Sequence, residues 1–125
     1  MGDWGKEPWN NDEAADWFHR FWKEKNFSIL IDEIMRFDET KERYDSFRAA
    51  SYVLQVFGNP YMWPTDHRKE LKELLERSIK ILTSMVEPPN ENWGFLDMWG
   101  DDPDVVSSVR GQIEELQRRR SELIT

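Results

Sequence analysis

The chain contains no cysteine. Disulfide stapling, thiolate metal centres and cysteine nucleophiles are thereby excluded. Histidine is nearly as scarce, with only His19 and His67 among 125 residues. Motifs that organise reactive groups are missing as well: there is no HExxH, no Glu-x-x-His, no GxSxG and no glycine-rich phosphate loop. No apolar run approaches the roughly 20 residues of a membrane-spanning helix. Asp3 and Glu7 stand where an export signal has its basic and then apolar stretches. The expectation is a soluble, cytoplasmic protein that does not engage a membrane. Basic charge is also in deficit: 17 basic against 25 acidic residues leave a net charge of −8. The deficit is equal in the two halves, so charge marks no domain boundary, and it argues against nucleic acid as a partner.

What the chain has in quantity is large apolar side chains. Aromatics make up 14% of residues, with seven tryptophans and seven phenylalanines, and 38% of residues are hydrophobic. That payload takes the sequence out of the disordered class and is enough for one core in one domain spanning 1–125.

Helical spacing dominates. Ala14, Trp17, Phe18, Phe21 and Trp22 recur at i, i+3, i+4, i+7 and i+8. Asn10 and Glu13 stand at N-cap and N3 spacing ahead of them. A shorter stripe follows with Phe27, Leu30, Ile31, Ile34 and Met35, and Ser28 is the expected cap. A third helix is expected from about Thr40 to Phe57, with Tyr44, Phe47, Ala50, Ser51, Leu54 and Phe57 inward and Gly58 as a left-handed terminator. A fourth runs from Asp66 to Met85 on Leu71, Leu74, Leu75, Ser78, Leu82 and Met85, and Pro88 and Pro89 stop it. Residues 90–101 form a short element or ordered loop. Asp102 then caps a fifth helix with Pro103 at its first position, and Val106, Val109, Ile113, Leu116 and Leu123 face inward. The fold class is all-α: a single bundle of about five helices with a tryptophan-rich N-terminal hook, in which Trp4 and Trp9 fold back onto the Trp17–Phe21 stripe.

Candidate chemistry is sparse. His19 shares a helix face with Asp12 and Asp16, a ligand-like set, but a solvated polar face accounts for it. Asp97, Asp101, Asp102 and Asp104 cluster without the spacing of a calcium loop. No spacing selects a carboxylate pair, so no catalytic, cofactor-binding or metal residue is assigned and no cofactor is expected. The most distinctive stretches combine tryptophan with acid. Residues 87–104 hold Trp93 and Trp99 beside six acidic residues and no basic one. This segment is the candidate partner-binding edge, with Trp93, Asp97, Trp99, Asp101 and Asp102 as its residues: acids as rim and one exposed tryptophan as anchor.

The opening MGDWGKEPWNNDEAADWF carries a resemblance. Met1-Gly2-Asp3-Trp4-Gly5, Pro8-Trp9, Asn10-Asn11-Asp12 and Ala14-Ala15-Asp16-Trp17 resemble the start of the bacterial family 4259 of domains of unknown function. Glu7 stands where members of that family usually carry glycine. RAASYVLQVFGNP and NENWGFLDMWGDDPDV are similar to later parts of the family in placement. The resemblance implies a small all-α bacterial domain; it points to no particular activity and carries over no catalytic residue. The functional expectation is a non-enzymatic, acidic interaction domain for a basic protein partner, built like immunity proteins that neutralise toxins. The alternative is an enzyme or metal-binding helical domain whose carboxylate site is assembled from distant residues.

Overall fold

A computed structural model describes residues 5–24 and 26–123. These residues form helices and no strand. The elements are α1 (Asp12–Glu24), α2 (Phe27–Met35), α3 (Tyr44–Phe57), α4 (Leu71–Val86), a single-turn α5 (Phe95–Met98) and α6 (Pro103–Ser121). Short 3-10 segments at Glu39–Lys41 and Thr65–Glu70 lead into α3 and α4. The all-α bundle expected from the stripes is what forms, with α5 filling the stretch left open between α4 and the last helix.

The core follows the stripes closely. Ala14, Trp17 and Phe21 of α1 meet Leu30 and Ile34 of α2, the inward face of α3, and Leu71 through Met85 of α4 in one buried cluster. Phe95, Trp99, Val105, Val109, Ile113 and Leu116 extend it through α5 and α6. Trp17 and Phe21 stack at 5.2 Å, and Phe27 meets Trp63 edge-on at 4.9 Å, which fastens the proline-flanked loop before α4. Burying such rings contributes on the order of 2–3 kcal/mol each relative to leaving them in water. The most extensive helix pairing is α4 against α6.

The element ends depart from expectation in instructive ways. Asn11, not Asn10, caps α1: its side chain accepts the Ala14 N–H at 2.8 Å. Asn26, not Ser28, caps α2, accepting from the Ser28 N–H at 2.9 Å. α3 begins at Tyr44, since Glu42 adopts a left-handed conformation (φ 55°) that separates it from the Glu39–Lys41 turn. Gly58 has φ −83°, so it is no left-handed terminator. Glycine is required there for a different reason: a Cβ would lie 2.3 Å from the Leu54 carbonyl oxygen. Among the described residues the left-handed glycine is Gly100 (φ 60°), where Asp101 N–H reaches Leu96 O at 2.9 Å and Gly100 N–H reaches Asp97 O at 3.2 Å, a Schellman closure of α5. Asp102 caps α6 as expected, accepting from the Asp104 N–H at 2.8 Å with Pro103 at the first turn.

Other helix ends are satisfied by side chains from distant helices. Glu13 of α1 accepts the Ser46 N–H at 2.6 Å and the Ser46 hydroxyl at 2.8 Å, capping the start of α3 where Arg43 makes no cap bond. Arg119 of α6 donates to the carbonyls of Gln55 and Val56 at 2.8 and 3.3 Å, closing the other end of α3. Arg77 of α4 donates to Ile34 and Phe37 carbonyls at 2.7 and 3.4 Å, past the end of α2.

Candidate functional site

The segment Gly5–Asn11 crosses the molecule as a strap, and one buried cation holds it. Arg48 of α3 is 1% exposed. Its guanidinium donates to Gln112 Oε1 at 2.8 Å, to Ser108 Oγ at 2.8 Å and to the Lys6 carbonyl at 3.1 Å. Ser108 passes the interaction on, donating to Glu7 Oε1 at 2.7 Å. Gln112 Nε2 donates back to the Arg48 carbonyl and to Ser51, each at 3.1 Å. Burial pushes the Arg48 pKa down to about 10, an effect that the charges of Asp45 and Glu7 partly offset, and the side chain stays protonated at neutral pH.

Beside this network lies a cleft of about 600 Å³ between the strap, α3 and α6. One wall is Trp9, which packs on Tyr52 of α3 at 4.9 Å and stays 41% exposed. The Trp9 half of the expected hook therefore folds onto α3, not onto the Trp17–Phe21 stripe, because the strap turns toward Arg48. The Trp4 half lies outside the described residues. The opposite wall is one face of α6: Asp104, Ser107, Ser108, Gly111, Glu114 and Glu115 line the cleft at helical spacing. The carboxylates of Asp104 and Glu114 have no hydrogen-bond or ion-pair partner among the described residues. The neighbouring cation, Arg48, is spent on the strap.

Gly111 sits in the middle of that face. A mid-helix glycine costs about 1 kcal/mol relative to alanine. A Cβ at Gly111 would meet nothing within 4 Å, so nothing in the fold requires glycine there. The lining is mostly polar, with Pro8, Trp9 and Tyr52 as its apolar part, so the cleft suits a charged or polar segment better than an apolar small molecule.

The acidic segment 87–104 is more internally engaged than its sequence suggests. Asp102 pairs with Lys6 at 3.0 Å; that hydrogen bond, with the one from the Asp104 N–H, holds its carboxyl below the usual carboxylate range. Glu87 pairs with Arg110 at 3.0 Å. Trp99 is 8% exposed with the Lys6 ammonium 5.4 Å from its ring centre, and Trp93 is half-buried near Phe37 and Tyr44. Asp97 and Asp101 are exposed beside them. Among the described residues the exposed tryptophans are Trp9 and Trp22, neither of them in this segment. Trp22 borders an apolar groove of about 250 Å³ with Phe27, Phe57 and Met62, which offers no polar group to orient a ligand.

His19, Asp12 and Asp16 are all exposed on α1, a solvated face. Among the described residues no three His, Cys, Asp or Glu side chains stand together as a metal site, and no helix is long and apolar enough to cross a membrane. The α6 face was not singled out from sequence, though its acid-small-small-small-acid spacing from Asp104 to Glu114 was readable there. Comparison with known proteins matches the chain to no family model, no curated protein and no solved structure.

Proposed function

We propose that this protein is a non-catalytic interaction domain that binds a basic protein partner in the cleft between the strap and α6. In role it would resemble an immunity protein that occludes a basic toxin. The observation that carries this reading is the open α6 face. It combines unpartnered carboxylates at Asp104 and Glu114, an exposed aromatic wall at Trp9, and a glycine that the fold does not need. Acids at a rim steer a basic partner toward the site, and an aromatic at the centre slows its release. Asp97 and Asp101, exposed just before α6, would add to the steering field. The opening motif keeps the likeness to family 4259 as part of this reading, together with bacterial origin and a cytoplasmic setting.

A photo-crosslinking amino acid at Ser107, which is exposed in the cleft, tests the proposal in living cells. The expected result is a dominant adduct with a basic protein that disappears when Gly111→Leu fills the cleft. An adduct that survives Gly111→Leu, or labelling spread over many acidic and neutral proteins, would remove the cleft from the interaction.

A further inference from the structure

Resting on that reading, the geometry points to a defined occupant: we propose that the cleft takes an extended segment of the partner carrying two arginines four residues apart. Asp104 and Glu114 lie on one face of α6, ten residues and therefore about 15 Å apart along the helix. In an extended chain, residues four apart are separated by about 13 Å. A cation on each would reach one of the two free carboxylates, with the side chains covering the difference. Between these ends the helix surface presents Ser107, Ser108 and Gly111, so a peptide backbone approaches closely without meeting a bulky side chain.

The second carboxylate also has the aromatic wall beside it. Arg48 meets Ser108 and Gln112, whereas Arg119 meets Gln55 and Val56, so α3 and α6 run in the same direction where they touch. Tyr52 falls between these contacts and flanks α6 from about Gly111 to Glu115, and Trp9 packs on Tyr52. A cation at Glu114 therefore sits against Trp9. A guanidinium is planar, stacks on an aromatic face and forks onto a carboxylate, while an ammonium does neither as well. The site is thus built for arginine over lysine. A nucleic-acid backbone, being anionic, is repelled by the same face.

Calorimetric titration with defined peptides tests this. A blocked nine-residue peptide of serine and glycine carries arginines at its third and seventh positions. It is compared with the same peptide bearing two lysines, with one whose arginines are adjacent, and with a 20-residue poly-arginine. The spaced di-arginine peptide should bind at least about tenfold more tightly than either short control. Gly111→Leu, and separately Asp104→Asn with Glu114→Gln, should each weaken it about tenfold or more, with circular dichroism showing the helices intact. If poly-arginine binds and loses affinity on these substitutions, while the short peptides show no preference for arginine or for spacing, the paired-arginine site is wrong and the basic-partner reading stands. If poly-arginine does not bind, or binds the variants as well as the native protein, both fall together.

Discussion

Arg48 is the residue through which the strap, α3 and α6 are joined. A fully buried guanidinium is strongly desolvated, and it is tolerated here because Gln112, Ser108 and the Lys6 carbonyl accept hydrogen bonds from its N–H groups. Removing it leaves those acceptors buried without a donor. Arg48→Met should lower the unfolding free energy by about 3 kcal/mol, read as a shift in the urea midpoint. Arg48→Lys should recover less than half of that, because a compact ammonium cannot reach three acceptors spread around a planar fork. An unchanged midpoint in Arg48→Met would show that the strap is held by something else. Tyr44 offers a pH-dependent counterpart. It is fully buried, donates to the Glu39 carbonyl at 2.8 Å and accepts the Gly94 N–H at 3.0 Å. Burial raises its pKa above the usual 10, and the Gly94 bond lowers it only in part. Above pH 10 the unfolded chain gives up this proton while the folded chain keeps it, so the contribution is intact below pH 10 and falls away as pH rises. Arg48, whose pKa burial lowers to about 10, acts in the opposite sense above that pH, which a comparison of native protein with Tyr44→Phe cancels out. The expected outcome is a shallower alkaline loss of stability in Tyr44→Phe; equal slopes would place no burial cost on the phenolate.

At the level of the helices, the inward faces were legible and the ends were not. Most stripe residues are buried where spacing placed them, from Ala14 and Trp17 through Leu71–Met85 to Val109 and Leu116, because burying one face requires only a repeat of 3.6, and Phe18, Phe27, Ile31, Met35, Phe57 and Leu123 pack half-buried at the edge of that core. Trp22, near the end of α1, is 56% exposed at the edge of the groove it shares with Val53 and Phe57 of α3, and Val105 takes the inward place expected of Val106. Caps are different. Local sequence supplies Asn11, Asn26 and Asp102, but α3 is closed by Glu13 at one end and Arg119 at the other, both far away in the chain. No local pattern announces such partners, and for the same reason the cleft was not legible: it exists only once Arg48 lays the strap beside α6. Register makes a sharp test. Asn11→Ala should cost about 1 kcal/mol and Asn10→Ala almost nothing; the reverse order would restore the cap to Asn10. Gly100→Ala should cost about 1 kcal/mol from its left-handed backbone alone, since no atom lies within 4 Å of the added methyl. Gly111→Ala should instead stabilise the protein by about 0.5–1 kcal/mol, a gain foregone for an open cleft. Thermal melts of the two glycine variants should therefore move in opposite directions.

Across the whole molecule the question is whether Pro88 and Pro89 divide it. They stand between α4 and α5, where a hinge between two units would fall. The packing argues for one unit. The most extensive helix pairing, α4 on α6, joins the two sides of that junction, and Arg119 closes α3 from beyond it. The strap adds Lys6 to Asp102 and Glu7 to Ser108, tying the start of the described chain to α6. Residues beyond Pro89 have their apolar side chains, among them Phe95, Val109 and Leu116, in the same core cluster as α1 and α4. Separating the two parts would expose both faces of that cluster, so neither part has a core of its own. Unfolding should then be a single transition in which helix signal and tryptophan fluorescence share one midpoint. Its heat-capacity change should match the full chain of 125 residues, about 1.5–1.9 kcal/mol/K at 12–15 cal/mol/K per residue. A biphasic melt, with fluorescence changing before helix is lost and a heat-capacity step of half that size, would put a boundary at Pro88–Pro89 and make the α4–α6 contact a docking surface between two units.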